Sequence, residues 1–276
     1  LGFRAVSGRG EIFKAGGKVV KNVTGYDLPK LMAGSFGTLA ALEEVTVKVL
    51  PQPETVATLL FENIVPEAAV RLMNAALGSP HEVSGAAYLP PGTSMPLTLP
   101  VRPGTVALRI EGPAPSVAFR REALLREQQQ SGMSATLGDS QSVAFWRAIG
   151  EAAPLSGLGE RAIWRISVAP ARGAALGESL ARSLDAAWYL DWGGGLLWLA
   201  VPEDRDGGAA AIRSAIRGED GPGTGHATLI KGSPALRRAV PVFEPQPPAL
   251  AALSRRVKDA FDPRHILNPG RMVDGN

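Results

Sequence analysis

Two short runs near the start of the chain hold residue types that can do chemistry through the backbone. Asn22-Val23-Thr24-Gly25-Tyr26-Asp27 is rich in hydroxyl and amide groups. Asp27 stands where its side chain would cap a brief helix through Leu28, Leu31 and Met32. Gly34 should end that helix, and Gly34-Ser35-Phe36-Gly37-Thr38 follows. Two glycines three apart let the backbone take positive φ and approach another group with no Cβ in the way. Such a loop can turn several N–H groups toward an anion or a carbonyl-rich ring. The same residues also suit the ordinary turns of a strand-helix-strand unit, because glycine-rich loops are common. Spacing alone leaves both readings open.

The elements that would position these turns are legible from pattern. Lys18-Val19-Val20 leans to β before the first turn. After the second, Val45, Val47 and Val49 alternate with Thr46 and Lys48, predicting a half-buried strand that ends at Pro51. Pro51-Gln52-Pro53 reads as a linker. Beyond it, strands are predicted at 55–61, 83–89, 106–110 and 134–137, with helices at 66–77 and 116–130, the latter on a stripe of Val117, Phe119, Ala123 and Leu124. A helix at 140–152 and a loop at 154–159 intervene. The order then repeats, with strands at 161–169, 188–192, 195–201 and 226–231 and helices at 172–184 and 203–217. Two β-α-β-β-α-β sets predict an antiparallel sheet with helices on one face. A second linker at 245–248 leads to a helix at 249–261.

Composition narrows the function. The chain has 276 residues, enough to bury a large core, and 45% hydrophobic with 20% charged residues fits a globular protein. The charge balance of 29 − 26 = +3 gives no strong field, and no stripe of Lys and Arg is visible, so nucleic acid is not an expected partner. With no cysteine, the chain has no disulfide, thiolate metal site or Cys-linked flavin. His81, His226 and His265 are far apart, so no histidine-rich metal site is expected. No apolar run reaches the ~18–20 residues that span a bilayer.

Resemblance to a known family adds to this reading. Lys21-Asn22-Val23-Thr24-Gly25-Tyr26-Asp27-Leu28, Gly34-Ser35-Phe36-Gly37-Thr38-Leu39 and Glu44-Val45-Thr46 resemble the second half of the FAD-binding domain of vanillyl-alcohol-oxidase-class flavoproteins. Phe261-Asp262-Pro263-Arg264-His265-Ile266-Leu267-Asn268-Pro269-Gly270-Arg271-Met272 is similar to the tail of the same enzymes. The two motifs stand far apart and in the right order. Leu155-Ser156-Gly157, Ile163-Trp164-Arg165-Ile166-Ser167, Asp191-Trp192-Gly193-Gly194 and Gly225-His226-Ala227-Thr228 further resemble FAD-binding subunits of bacterial glycolate oxidases. Phe36, Ala40 and Glu43 depart from the family pattern, which has Glu, Gly and Thr there, a difference that bears on flavin contacts more than on fold.

The resemblance implies an α+β chain: the remnant of a PCMH-type FAD-binding domain (1–53), an antiparallel-sheet cap of duplicated ferredoxin-like topology (54–244), and a helix and tail (245–276) returning to the first domain. It implies FAD contacts at Asn22, Thr24, Gly25, Tyr26, Gly34, Ser35, Gly37, Thr38, Leu42 and Asn268, although Asn268 also suits a plain turn before Pro269-Gly270. Family members begin with a domain half that carries a pyrophosphate loop, and nothing like it precedes Leu1. The expectation is therefore a C-terminal fragment that by itself is inactive and holds little or no FAD.

The implied function is that of an FAD-binding subunit of a complex oxidising glycolate to glyoxylate. It would be accessory or electron-transferring, beside a catalytic flavoprotein and an iron-sulfur subunit, in the cytoplasm or peripheral at the inner membrane through its partners. A flavin carries its own redox reactivity, but oxidising a 2-hydroxy acid also needs a cation for the carboxylate and a base for the proton. Only Arg165 and His226 are nominated, and the His-x-His of the family's catalytic subunits is absent. His226 also suits a structural role at a strand start, and Arg165 must find a polar partner or solvent. A self-sufficient 2-hydroxy-acid oxidoreductase and a non-enzymatic interaction domain without flavin remain the alternatives.

Overall fold

The computed structural model describes residues 1–19, 25–93, 95–97, 99, 101–128, 132–217 and 225–272. The expected contacts at Asn22 and Thr24 and the end of the Lys18-Val19-Val20 segment lie outside the described residues. The chain divides into two compact units, one built from Leu1–Pro51 with Phe243–Asn276 and the other from Gln52–Val242.

In the first unit, strands β1 (Gly2–Ser7), β2 (Ile12–Gly16) and β3 (Ala40–Thr46) form an antiparallel sheet in the order β2-β1-β3. Helix α1 (Leu28–Met32) starts as its sequence demands: the Asp27 carboxylate accepts from the Lys30 amide, and Pro29 sits in the first turn where no N–H is missed. Gly34 follows with φ +80°. The core is small, with Phe3, Ala5, Met32, Leu39 and Ala40 buried and Phe13, Val257 and Phe261 packed against them. The Phe13 ring stands edge-on to Phe3 at 5.5 Å and tilted against Phe261 at 5.8 Å, so the C-terminal helix closes this core.

The strand predicted through Val45, Val47 and Val49 differs from expectation. It runs Ala40–Thr46, its ladder ends at Gly2↔Thr46, and all of its side chains after Ala40 except Thr46 are exposed. Alternation in sequence favours a half-buried strand, but a strand persists only where a partner pairs with it.

The second unit is one eight-stranded antiparallel sheet. Its first half is β4 (Thr55–Phe61), α2 (Pro66–Leu77), β5 (Gly85–Leu89), β6 (Thr105–Gly112), α3 (Ala114–Glu127) and β7 (Met133–Leu137). Helix α4 (Asp139–Gly150) joins it to the second half: β8 (Arg161–Val168), α5 (Pro170–Leu184), β9 (Ala187–Asp191), β10 (Leu196–Pro202), α6 (Ala209–Arg217) and β11 (Gly225–Lys231). The sheet order β11-β8-β10-β9-β5-β6-β4-β7 places each half in the arrangement fourth-first-third-second, with the two second strands meeting in the middle at Tyr88↔Leu190. The α+β class and the duplicated ferredoxin-like topology expected from element order are thus observed.

Inward-facing Leu59, Tyr88, Leu108, Trp164, Leu190 and Leu199 pack against α2, α3, α5 and α6. Helix α5 lies close to the sheet because Gly177 has no side chain: a Cβ there would overlap the Trp188 ring.

Three expectations are corrected. Helices do not occupy one face alone, because α4 lays Phe145 and Ile149 against Leu60, Ala87, Leu137 and Tyr189 on the other. In α3, Phe119 is exposed and Arg120 is buried, its guanidinium donating to the Glu111 and His81 carbonyls at 2.8 and 3.0 Å. The helix expected over 203–217 begins only at Ala209, because the Asp206 carboxylate takes the Gly208 and Ala210 amides and sets the start there. After β11, α7 (Pro234–Ala239) follows in this unit, and α8 (Pro248–Phe261) belongs to the first.

Candidate functional site

The site in the first unit forms where the glycine loop meets the C-terminal tail. After α1 the chain turns through Gly34, Phe36 and Gly37 with φ of +80°, +52° and +70°. The turn is pinned from within by the Ser35 amide donating to Met32 O, the Thr38 amide donating to Ser35 O, and Thr38 Oγ1 also donating to Ser35 O at 2.7 Å. This leaves the amides of Gly34, Phe36 and Gly37 without an acceptor among the described residues. A Cβ at Gly34 would meet open space. Unsatisfied amides in such a turn, two of them consecutive at Phe36 and Gly37, favour an anionic or carbonyl oxygen.

The tail is brought to this loop by a buried ion pair. On α8, Lys258 is 6% exposed and Asp262 is fully buried. The Lys258 ammonium donates to Asp262 Oδ2 at 2.5 Å, to Thr38 O at 2.8 Å and to Leu267 O at 3.0 Å, so one cation ties the helix, the loop and the tail. Asp262 completes the knot by accepting from the Ile266 and Leu267 amides at 3.2 and 2.8 Å. Burial pushes the Asp262 carboxyl up, but the Lys258 ammonium and the two amides outweigh it and hold the group below the ordinary carboxylate range. Gly8 is obligatory beside it, since a Cβ there would overlap the carboxylate.

Beyond the knot, Asn268 takes φ +41° and its Nδ2 donates to Phe36 O at 2.8 Å. A Cβ on Gly37 would stand 2.8 Å from that same nitrogen. Arg271 lies with its guanidinium 5.7 Å from the Phe36 ring centre. An apolar groove of about 360 Å³, lined by Leu31, Leu39, Leu253, Val257 and Met272 with Lys258, runs beside the loop.

The structure therefore brings Gly34, Ser35, Gly37, Thr38 and Asn268 together. Tyr26 is 93% exposed, Gly25 has φ +77°, and Leu42 pairs with Ala5 on edge strand β3. Lys258 and Asp262 were not anticipated. Their signal in the sequence is an i,i+4 pair of opposite charge, which on most helices is a solvated contact.

The second unit holds Arg165 and His226. Arg165 on β8 pairs with Trp198 and Thr228, and Ser167 pairs with His226, so with a two-residue period these side chains share the face on which α4 packs. The Arg165 guanidinium stacks 4.9 Å from the Trp192 ring centre and makes no hydrogen bond among the described residues. Arg109 on β6 stacks on Trp146 at 5.2 Å. Burial raises the Asp191 carboxyl above its ordinary value, partly opposed by the Trp192 amide, which donates to Asp191 at 2.7 Å, and by the charges of Arg109 and Arg165. Asp191 and Arg109 were not nominated from the sequence, because it is the sheet that brings the charges of Arg109 on β6 and Arg165 on β8 within reach of Asp191 at the end of β9. Among the described residues no three His, Asp or Glu side chains gather as a metal site.

Comparison with known proteins gives this geometry a context. Residues 242–272 match the family described as FAD linked oxidases, C-terminal domain. The chain is 30% identical over 274 residues to the glycolate oxidase subunit GlcE of Escherichia coli, covering 99% of this chain and 64% of that protein. Over 66 residues it is 48% identical to the glycolate oxidase subunit GlcD of Bacillus subtilis, covering 23% of this chain and 14% of that one. In fold it is similar to 4-ethylphenol oxidase from Gulosibacter chungangensis, with a TM-score of 0.65 at 15% identity over 99% of this chain and 66% of the other. The chain thus spans just under two thirds of the length of the GlcE relative.

Proposed function

From a match of residues 242–272 to the C-terminal domain of FAD linked oxidases and a fold similar to that of a VAO-type flavoprotein, we propose that the native polypeptide is an FAD-binding subunit of a glycolate-oxidising complex. The observation that carries this is a glycine turn in which the amides of Gly34, Phe36 and Gly37 have no acceptor among the described residues and against which the tail sets Asn268, donating to Phe36 O.

The residues fit the cofactor. The side-chain-free position at Gly34 admits close approach of a phosphate or ring oxygen, that at Gly37 admits the Asn268 amide, and the groove beside Leu39 and Val257 suits an apolar ring edge. Bound there, FAD supplies a two-electron acceptor. The protein's part is to hold and orient it: the amides of Gly34, Phe36 and Gly37 take its oxygens, and Ser35 and Thr38 keep the loop shaped. The Lys258–Asp262 pair fixes Asn268 against the loop before the cofactor arrives, so that no ordering cost falls on binding.

In this reading the subunit passes electrons or organises the assembly, while a sister flavoprotein performs substrate oxidation and an iron-sulfur subunit takes the electrons onward in the cytoplasm. Among the described residues no helix is long and apolar enough to cross a membrane, so attachment at the inner membrane would come through partners. Reconstitution tests it: the isolated native polypeptide should contain FAD yet oxidise glycolate far more slowly than the assembled complex. Equal rates would refute the accessory role.

One observation favours a second reading, in which the polypeptide oxidises a 2-hydroxy acid itself. The Arg165 guanidinium is preoriented on Trp192 with its donors unused, as a carboxylate grip would be. Asp191 and His226 share its face and could take the hydroxyl proton. An isolated subunit with full activity that is lost in Arg165→Gln would select this reading.

A further inference from the structure

A pocket of about 360 Å³ lies in the second unit, where α4 meets β4 and β6. Pro53, Val56, Val143 and Trp146 make its apolar walls, and Arg109, Arg147 and Glu111 bring charge to it. Two cations against one carboxylate leave it net positive. None of these residues belongs to the loop at 34–38, to the tail, or to the Arg165 and His226 pair.

Arg109 is in place before any ligand arrives. Its Nε donates to Ser84 Oγ at 3.0 Å and its Nη2 to Ser84 O at 3.1 Å, while its guanidinium stacks 5.2 Å from the Trp146 ring centre. The Trp146 ring is fixed in turn. Its indole N–H donates to Thr58 Oγ1 at 2.9 Å, and Gly85 makes room for the ring, since a Cβ there would stand 3.1 Å from it. The Glu111 carboxylate approaches Arg109 Nε at 3.6 Å, which leaves Nη1 without an acceptor among the described residues. Arg147 is exposed, and its guanidinium makes no hydrogen bond or ion pair among the described residues. The Ser142 hydroxyl, also at the wall, donates to Leu137 O at 3.0 Å.

These groups select the occupant. An inorganic anion would meet the guanidinium groups but leave the apolar walls in water. A neutral apolar molecule would cover the guanidinium donors and give them no acceptor, which is unfavourable. A carboxylate on a flat apolar body serves both, and the volume is in the range of pockets that hold small organic molecules. We propose that this pocket is a ligand site for an aromatic carboxylate, whose charge is met by Arg109 Nη1 and Arg147 and whose ring lies against Pro53, Val56 and Val143. The site is independent of the FAD reading, because it shares no residue with the cofactor surface.

The test is calorimetric titration of the native polypeptide with 1-naphthoate, its neutral isostere 1-naphthamide, and sulfate, with saturating FAD present so that no aromatic probe enters the cofactor surface. Wild type should bind naphthoate saturably and about tenfold or more tighter than naphthamide, the scale of a hydrogen bond to a charged group. Sulfate should not compete. Arg147→Gln alters an exposed side chain and should weaken naphthoate about tenfold while leaving naphthamide unchanged. Val143 is also exposed, and Val143→Glu should abolish naphthoate binding by repulsion. Arg165→Gln should bind naphthoate as wild type does. Absence of saturable naphthoate binding, equal affinity for naphthamide, competition by sulfate, or wild-type affinity in Arg147→Gln each overturns the proposal. So does loss of naphthoate in Arg165→Gln, which would place the probe on the other face of residues already described.

Discussion

Replacing Lys258 by methionine keeps most of the side chain's length and removes its charge. The variant leaves a fully buried Asp262 carboxylate without its cation and takes the ammonium donor from Thr38 O and Leu267 O. Breaking a buried pair from one side costs about 3–5 kcal/mol, mainly because the remaining charge is stranded. The loss falls on the first unit, where all three partners lie.

Tryptophan fluorescence would not see it, because all five tryptophans, Trp146, Trp164, Trp188, Trp192 and Trp198, belong to the second unit. Native-state hydrogen exchange would. Amides of β1, β3 and α8 should exchange about 10²–10⁴ times faster in Lys258→Met, the factor that ~3–5 kcal/mol implies. Peptides from 52–242 serve as the internal reference and should hold their rates.

The pH dependence gives a second check. In wild type the Asp262 carboxyl lies below its unfolded value. Its contribution is therefore fully present above the ordinary carboxylate range and is lost only as pH falls through the lowered folded value. In Lys258→Met, burial acts unopposed and raises the carboxyl. The variant's deficit should be largest near neutral pH and shrink as acid protonates Asp262. A change in exchange below tenfold, or a deficit that does not vary with pH, would refute the argument that the charge is buried and paired.

Other perturbations follow from the same geometry. Gly37→Ala places a Cβ at φ +70° and 2.8 Å from Asn268 Nδ2, and should weaken flavin retention at least tenfold in a dialysis assay. Gly177→Ala drives a methyl into the Trp188 ring and should cost about 1–3 kcal/mol, read by urea unfolding followed through tryptophan fluorescence. Tyr189→Phe removes the phenol's hydrogen bond to the Ile149 carbonyl at 2.6 Å but leaves that carbonyl the Ala152 amide at 3.3 Å, and should destabilise the second unit by ~0.5–1.5 kcal/mol in the same assay. If Arg165 grips a carboxylate, Arg165→Gln should raise KM for 2-hydroxy acids at least tenfold with little change in kcat.

Much of the fold was legible because local signals agreed. Asp27 and Pro29 mark the start of α1, Pro66 opens α2, and repetition of one element order foretold the symmetric sheet. What escaped was set by tertiary partners. Val47 and Val49 continue an alternating pattern, yet the ladder stops at Thr46, where β1 pairs no further. Arg120 sits where a stripe called for an apolar face, and is buried because the Glu111 and His81 carbonyls receive it. The glycine loop could be read as either a turn or a cradle. Only the count of satisfied amides, which depends on how Ser35 and Thr38 bond, separates the two. Lys258 and Asp262 look like a surface pair until the tail folds over them.

The central claim is that the loop at 34–38 and the tail at 266–272 hold one cofactor together. Hydrogen exchange of the native polypeptide with and without saturating FAD tests it most directly. Protection appearing in both segments at once is the predicted result. Bound FAD that leaves Gly34, Phe36 and Gly37 exchanging as freely as before would contradict it.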